Sequence, residues 1–139
     1  MPKVEVQEWF KGKERTVLKL WFNGEDLTDE FVQYLRQNNK RDFAKAMKLL
    51  EQLANGQFSN RERCKPLKGV DKIFELRDHG GVRIYFFYQG SDAVVLCAGN
   101  LKGDGRQNAL IKKCSEMRQA FVAAATRNQL VSKPKDNDE

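Results

Sequence analysis

Arg77, Arg83, Lys102 and Arg106 are the side chains of this chain best suited to chemistry, because a sheet and the helix after it could bring all four to one phosphate. Arg77 and Arg83 occupy odd-numbered positions on two strands joined by a tight turn, so both project from one face. Two guanidinium groups side by side repel each other unless an anion lies between them. A phosphate fits, since each planar fork matches its oxygens. Taken singly, each arginine also has a nearby ion-pair partner in Glu75 or Asp78. Lys102 and Arg106 bracket the start of a helix, where free backbone N–H groups favour an anion as well. Lys65, Lys68, Lys112 and Lys113 flank the set and could track a phosphate backbone.

Two further residues complete the candidates. His79 stands in the turn between the arginine-bearing strands and titrates near neutral pH, so it can act as acid or base, or simply be an exposed turn residue. Tyr85 shares a face with Arg83 and could stack on a base or bond a phosphate; the alternative is core packing. The common phosphate, zinc and serine-hydrolase motifs are missing, and one histidine restricts any triad to His79. The acids are scattered, so neither a metal site nor a cofactor is expected.

Charge supports the same segment. The 139 residues carry 25 Lys+Arg against 19 Asp+Glu, a net +6. Residues 61–118 hold 12 basic and 7 acidic side chains, or +5 of it. A concentrated basic surface suits polyanions such as nucleic acid, or else only keeps a protein soluble. The length suits one domain, taken as residues 1–130 with a disordered tail at 131–139. No apolar run approaches the roughly 20 residues of a membrane span, and the opening residues lack a secretion leader. The expectation is a cytoplasmic protein with no membrane partner, in which Cys64, Cys97 and Cys114 are reduced thiols.

The elements that must position these residues follow from periodicity. Lys3–Phe10 and Thr16–Phe22 read as extended segments around a Lys11–Glu14 turn. Thr28 reads as the N-cap of a helix to about Asn38. A second helix from about Lys40 puts Phe43, Met47, Leu50 and Ala54 on one stripe and stops at Asn55-Gly56. Residues 57–68 read as a basic connecting loop. Lys72–Asp78, Val82–Gln89 and Ala93–Ala98 then form an antiparallel meander, and a helix from about Asp104 carries Leu110, Cys114, Met117, Phe121 and Ala124 on one stripe. The fold class expected is α+β: an antiparallel sheet, made of the three-strand meander plus one or two N-terminal strands, packed against an N-terminal helical hairpin and a C-terminal helix.

The run Lys65-Pro66-Leu67-Lys68-Gly69, then Ile73-Phe74-Glu75-Leu76-Arg77, Val82-Arg83-Ile84-Tyr85-Phe86-Phe87 and Val94-Val95-Leu96-Cys97-Ala98, resembles the RelE/ParE toxin superfamily, most closely its HigB and phage-associated branch. The resemblance covers about residues 27–122. It implies a RelE-like fold and the toxin of a bacterial toxin–antitoxin pair, a metal-independent endoribonuclease that cleaves mRNA on the ribosome. Its partner would be a cognate antitoxin, of helix-turn-helix type. Arg77 and Arg83 match the family's strand arginines, Lys102 lies in its basic stretch, and Arg106 falls near its C-terminal arginine with altered spacing. Ile73 and Glu75 stand where RelE itself carries lysines, and Asn100-Leu101-Lys102 replaces the usual aromatic-Lys-Lys word. In this reading the arginines stabilise the phosphate while Lys102 or His79 moves protons. The alternatives are a ParE-like gyrase inhibitor without nuclease activity and a non-catalytic RNA-binding module.

Overall fold

The computed structural model describes residues 2–57, 64–78, 81–100 and 104–134, the side chains of residues 100 and 104–106 excepted. The chain runs β1 (Val4–Lys11), β2 (Thr16–Phe22), α1 (Leu27–Asn38), α2 (Lys40–Asn55), β3 (Cys64–Pro66), β4 (Phe74–Arg77), β5 (Val82–Gln89), β6 (Asp92–Asn100), α3 (Asp104–Thr126) and β7 (Val131–Lys133). The strands form one seven-stranded sheet in the order β3-β4-β5-β6-β2-β1-β7.

This corrects the expected fold class. The sheet is mixed, because β2 lies parallel to β6 and β7 parallel to β1, while the other pairs are antiparallel. The helix pair sits between β2 and β3, after the two N-terminal strands. Two strands come from segments that read as irregular: β3 from the presumed basic loop and β7 from the presumed tail. Both are three residues long and lie at the sheet edges, where main-chain hydrogen bonds to one neighbour suffice and side-chain pattern carries little signal.

Strand parity divides the core. Val17, Leu76, Ile84, Phe86 and Val95 meet Leu35, Leu49, Leu50 and Leu53 of α1 and α2 on one face. Val4, Val6, Leu20, Ile73, Tyr85, Phe87 and Leu96 meet Cys114, Met117 and Phe121 of α3 on the other. One register shift matters. Tyr85 pairs with Cys97 and Phe86 with Val95, so Leu96 is an extra residue in β6. Without that bulge Cys97 would share the parity of Val95 and face α1 and α2; the bulge turns it toward α3.

The helix ends are held by specific side chains. The cap of α1 is Asp26 and not Thr28: its carboxylate accepts from the Asp29 amide at 3.0 Å, leaving Thr28 inside the helix. Asn39 caps α2 through the Asp42 amide, and Gly56 closes it in the left-handed region at φ 68°. The β1–β2 turn satisfies the last carbonyls of α2. Glu14 and Arg15 donate main-chain N–H to the Ala54 carbonyl at 3.0 Å, and the Arg15 guanidinium donates to the Leu53 carbonyl at 2.6 Å.

Candidate phosphate site

Arg77 and Arg83 are direct cross-strand partners on β4 and β5, and Glu75 pairs with Tyr85 one step along the same ladder. All four have odd-numbered positions and lie on the sheet face that α3 covers, the face opposite Leu76, Ile84 and Phe86. The ladder continues outward to Lys65, the partner of Glu75 on β3, which is partly buried.

Glu75 is the hub. It is 2% exposed, and its Oε1 lies 3.4 Å from Arg83 Nη1 and 3.9 Å from Arg77 Nη1. The two guanidinium side chains are 19% and 39% exposed, so each is partly wet while the carboxylate is dry. Arg83 Nε is buried without a hydrogen-bond partner, which leaves a donor on this guanidinium uncommitted. One carboxylate between two arginines leaves the group at a net +1. Both separations are long for charge-assisted hydrogen bonds, which run near about 2.8 Å. A carboxylate held so loosely can be joined, or displaced from one arginine, by another anion.

From α3 comes Gln107. Its Nε2 donates to the Tyr85 hydroxyl at 3.0 Å and reaches Glu75 Oε2 at 3.4 Å. Tyr85 is fully buried, and burial, reinforced by the Glu75 charge, pushes its hydroxyl up to about 12 against the help of Gln107 and Arg83. It stays protonated at any physiological pH. Tyr85 therefore packs in the core and anchors Gln107; it has no open face on which a base could stack, contrary to one sequence expectation.

The other candidates divide. Lys68 is exposed in the turn after β3, and Lys112 is exposed on α3. Lys113 is turned to another task, with Nζ 4.8 Å from the centre of the Phe22 ring at the end of β2. His79 and Lys102 lie outside the described residues. The Arg106 backbone lies in the first turn of α3, and its side chain is likewise outside them. Asp78, the second possible partner for the arginines, instead caps the β5 start by accepting from the Val82 amide at 2.8 Å and meets Lys45 at 3.6 Å.

Sequence reasoning missed Gln107 and underrated Glu75. The signal for Glu75 was present: it shares the parity of Arg77 and stands two residues before it on the same strand. The cysteines also differ from expectation. Cys97 and Cys114 form a disulfide between β6 and α3, and Cys64 alone is free. The pairing depends on the bulge at Leu96, which strict alternation cannot anticipate. Among the described residues no group of His, Cys, Asp and Glu could hold a metal, and no helix is long and apolar enough to cross a membrane. No protein-family model, curated protein or solved structure matches the chain.

Proposed function

We propose that the Glu75–Arg77–Arg83 cluster is the active site of a metal-independent endoribonuclease, and that the protein is the toxin of a toxin–antitoxin pair acting on mRNA at the ribosome in the cytoplasm. The observation that carries the reading is the paired register of Arg77 and Arg83 around a shared carboxylate on one sheet face. RNA brings its own nucleophile, the 2′-OH. The protein needs a base for that proton, cationic donors for the charge that builds on the phosphate, and an acid for the 5′-oxygen leaving group.

Arg77 and Arg83 take the second role, and the planar forks supply two donors each to the equatorial oxygens. Glu75 takes the first, because among the described residues it is the proton acceptor beside both arginines. That reassigns a step which sequence reasoning gave to Lys102 or His79, and leaves those two for the leaving-group proton. Lys65, Lys68 and Lys112 would follow the flanking phosphates by charge alone. The net +6 of the chain favours such a partner and also an acidic segment of a cognate antitoxin of helix-turn-helix type.

The test is inducible expression followed by mapping of transcript 5′ ends, alongside the Arg83→Ala variant. Cleavage within coding regions is expected, reduced by about 10²- to 10³-fold in the variant, as for removal of one oxyanion-hole donor. Undiminished cleavage by Arg83→Ala would remove this residue from the mechanism. Cleaved DNA with intact transcripts would replace the nuclease reading by gyrase inhibition, and RNA binding without any cleavage would leave a binding module.

A further inference from the structure

The disulfide between Cys97 and Cys114 lies close to this cluster, and the ladder explains why. Cys97, Tyr85 and Glu75 are consecutive cross-strand partners on β6, β5 and β4. From Cys97 to Glu75 is two strand spacings, roughly 9.6 Å. From Cys114 back to Gln107 is seven residues, two helical turns, or roughly 10.5 Å. The first part of α3 therefore spans this row, pinned at one end by the disulfide and touching Glu75 and Tyr85 through Gln107 at the other.

Among the described residues, that stretch of helix is otherwise held by partly buried contacts: Leu110 and Ile111 pack at the edge of the core and Lys113 lies over Phe22. From Gln107 to Lys113 no residue is fully buried; Leu110 and Ile111 are partly so, and Asn108, Ala109 and Lys112 are exposed. Cys114 is the first buried residue of α3 after Gln107, and beyond it Met117, Phe121 and Ala124 dock the remaining turns. The disulfide thus separates a firmly packed half of α3 from a lightly held one. It is the lightly held half that covers a carboxylate only 2% exposed. At 2% exposure, with Gln107 against its Oε2, Glu75 has little surface to offer a ligand in this conformation.

We propose that Cys97–Cys114 is a redox latch: oxidised, it keeps the first turns of α3 over Glu75 and the arginines; reduced, it lets them lift and admits single-stranded RNA. The gating of RNA rests on the reading of this cluster as the phosphate site. Release is thiol–disulfide exchange with a low-molecular-weight thiol. A thiolate attacks one cysteine sulfur, a mixed disulfide forms, and the other cysteine leaves as a thiolate that takes a proton. A second thiol resolves the mixed disulfide, so that two external thiols become one disulfide while Cys97 and Cys114 gain two electrons and two protons. Both cysteines are buried, so exchange proceeds through local opening of the helix and is slow compared with an exposed bond.

The decisive experiment is hydrogen–deuterium exchange on the full chain, oxidised with oxidised glutathione or reduced with dithiothreitol. Amides of residues 107–113 should exchange about tenfold faster or more on reduction, while those of 117–126 keep their protection. The Cys114→Ala variant should match the reduced chain under both conditions. Unchanged exchange in 107–113 would overturn the latch, and so would an equal rise along all of α3, which would mark general loosening. Fluorescence anisotropy with a 2′-O-methyl RNA oligonucleotide, which cannot be cleaved, then separates the two proposals. Tighter binding on reduction supports the latch, and equal binding in both states overturns it as a gate. Helix release without RNA binding in either state sinks the phosphate-site reading and leaves the latch motion standing.

Discussion

Replacing Glu75 by Gln keeps the volume and removes the charge that two arginines share, so it tests whether this carboxylate holds the cluster together. Leaving one partner of a fully buried pair uncompensated costs about 3–5 kcal/mol. The partners here are not fully buried. Arg83 is 19% exposed and can recover part of its hydration, while Arg77, at 39%, behaves almost as a surface ion and adds at most about 1 kcal/mol. The expected loss is about 2–4 kcal/mol. In urea, with a slope of about 2 kcal/mol per molar for a chain of this size, the midpoint should fall by about 1–2 M.

The same change should split binding from cleavage. Without the carboxylate the arginines are free to meet phosphate. RNA affinity should rise, with a log–log salt dependence steeper by about 0.7 for each additional phosphate that the arginines neutralise on a single strand. Cleavage should fall by about 10²- to 10⁴-fold, the usual worth of a positioned base. A cycle with Arg83→Gln checks the pair directly: the double variant should recover about 1–3 kcal/mol of coupling. If Glu75→Gln unfolds within about 0.5 kcal/mol of the parent, a change typical of a surface substitution, and cleaves as fast, then neither the ion-pair hub nor the base assignment stands.

Two further predictions concern the scaffold. Asp26 is 3% exposed with Oδ2 lacking a partner, and burial raises its carboxyl from 3.8 to about 6 against the Asp29 amide and Lys19. A raised carboxylate pKa means that the folded state binds the proton more tightly. The group's penalty is therefore absent below about 4 and complete above about 6, worth about 3 kcal/mol. Asp26→Asn keeps a good cap and removes the titration, so its stability advantage over the parent should grow by about 2–3 kcal/mol between about pH 4 and pH 7. Urea midpoints at both pH values decide it, and an advantage that does not change with pH refutes the cause given. Gly12→Ala would drive Cβ into the Ala54 carbonyl and push the β1–β2 turn off the end of α2. A loss of about 1–3 kcal/mol in the same assay is expected, and none would mean that this contact is not close in solution.

What could be read from the chain alone was governed by alternation. Residues 73–77 and 82–88 alternate cleanly, so the common face of Arg77, Arg83 and Tyr85 follows from position numbers, and the structure has them on the α3 face. What alternation cannot carry is a shift of register. The extra residue at Leu96 turns Cys97 toward Cys114, and a disulfide that no cysteine spacing announces becomes possible. Edge strands are equally silent, since β3 and β7 are built from main-chain hydrogen bonds and their residues read as loop and tail.

The hub is a subtler case. Glu75 had the right parity, and counting it as a plain ion-pair partner was correct chemistry. Its weight comes from burial, which α3 supplies from 32 residues away through Gln107. An exposed Glu75 would neutralise an arginine for less than about 1 kcal/mol. Beneath a helix it is a dry carboxylate holding two partly wet cations, and whether that arrangement is closed or open depends on how firmly the first turns of α3 are tied down. The basic stretch of sequence supplies the charges; the long-range placement of one helix sets whether they are available to a phosphate.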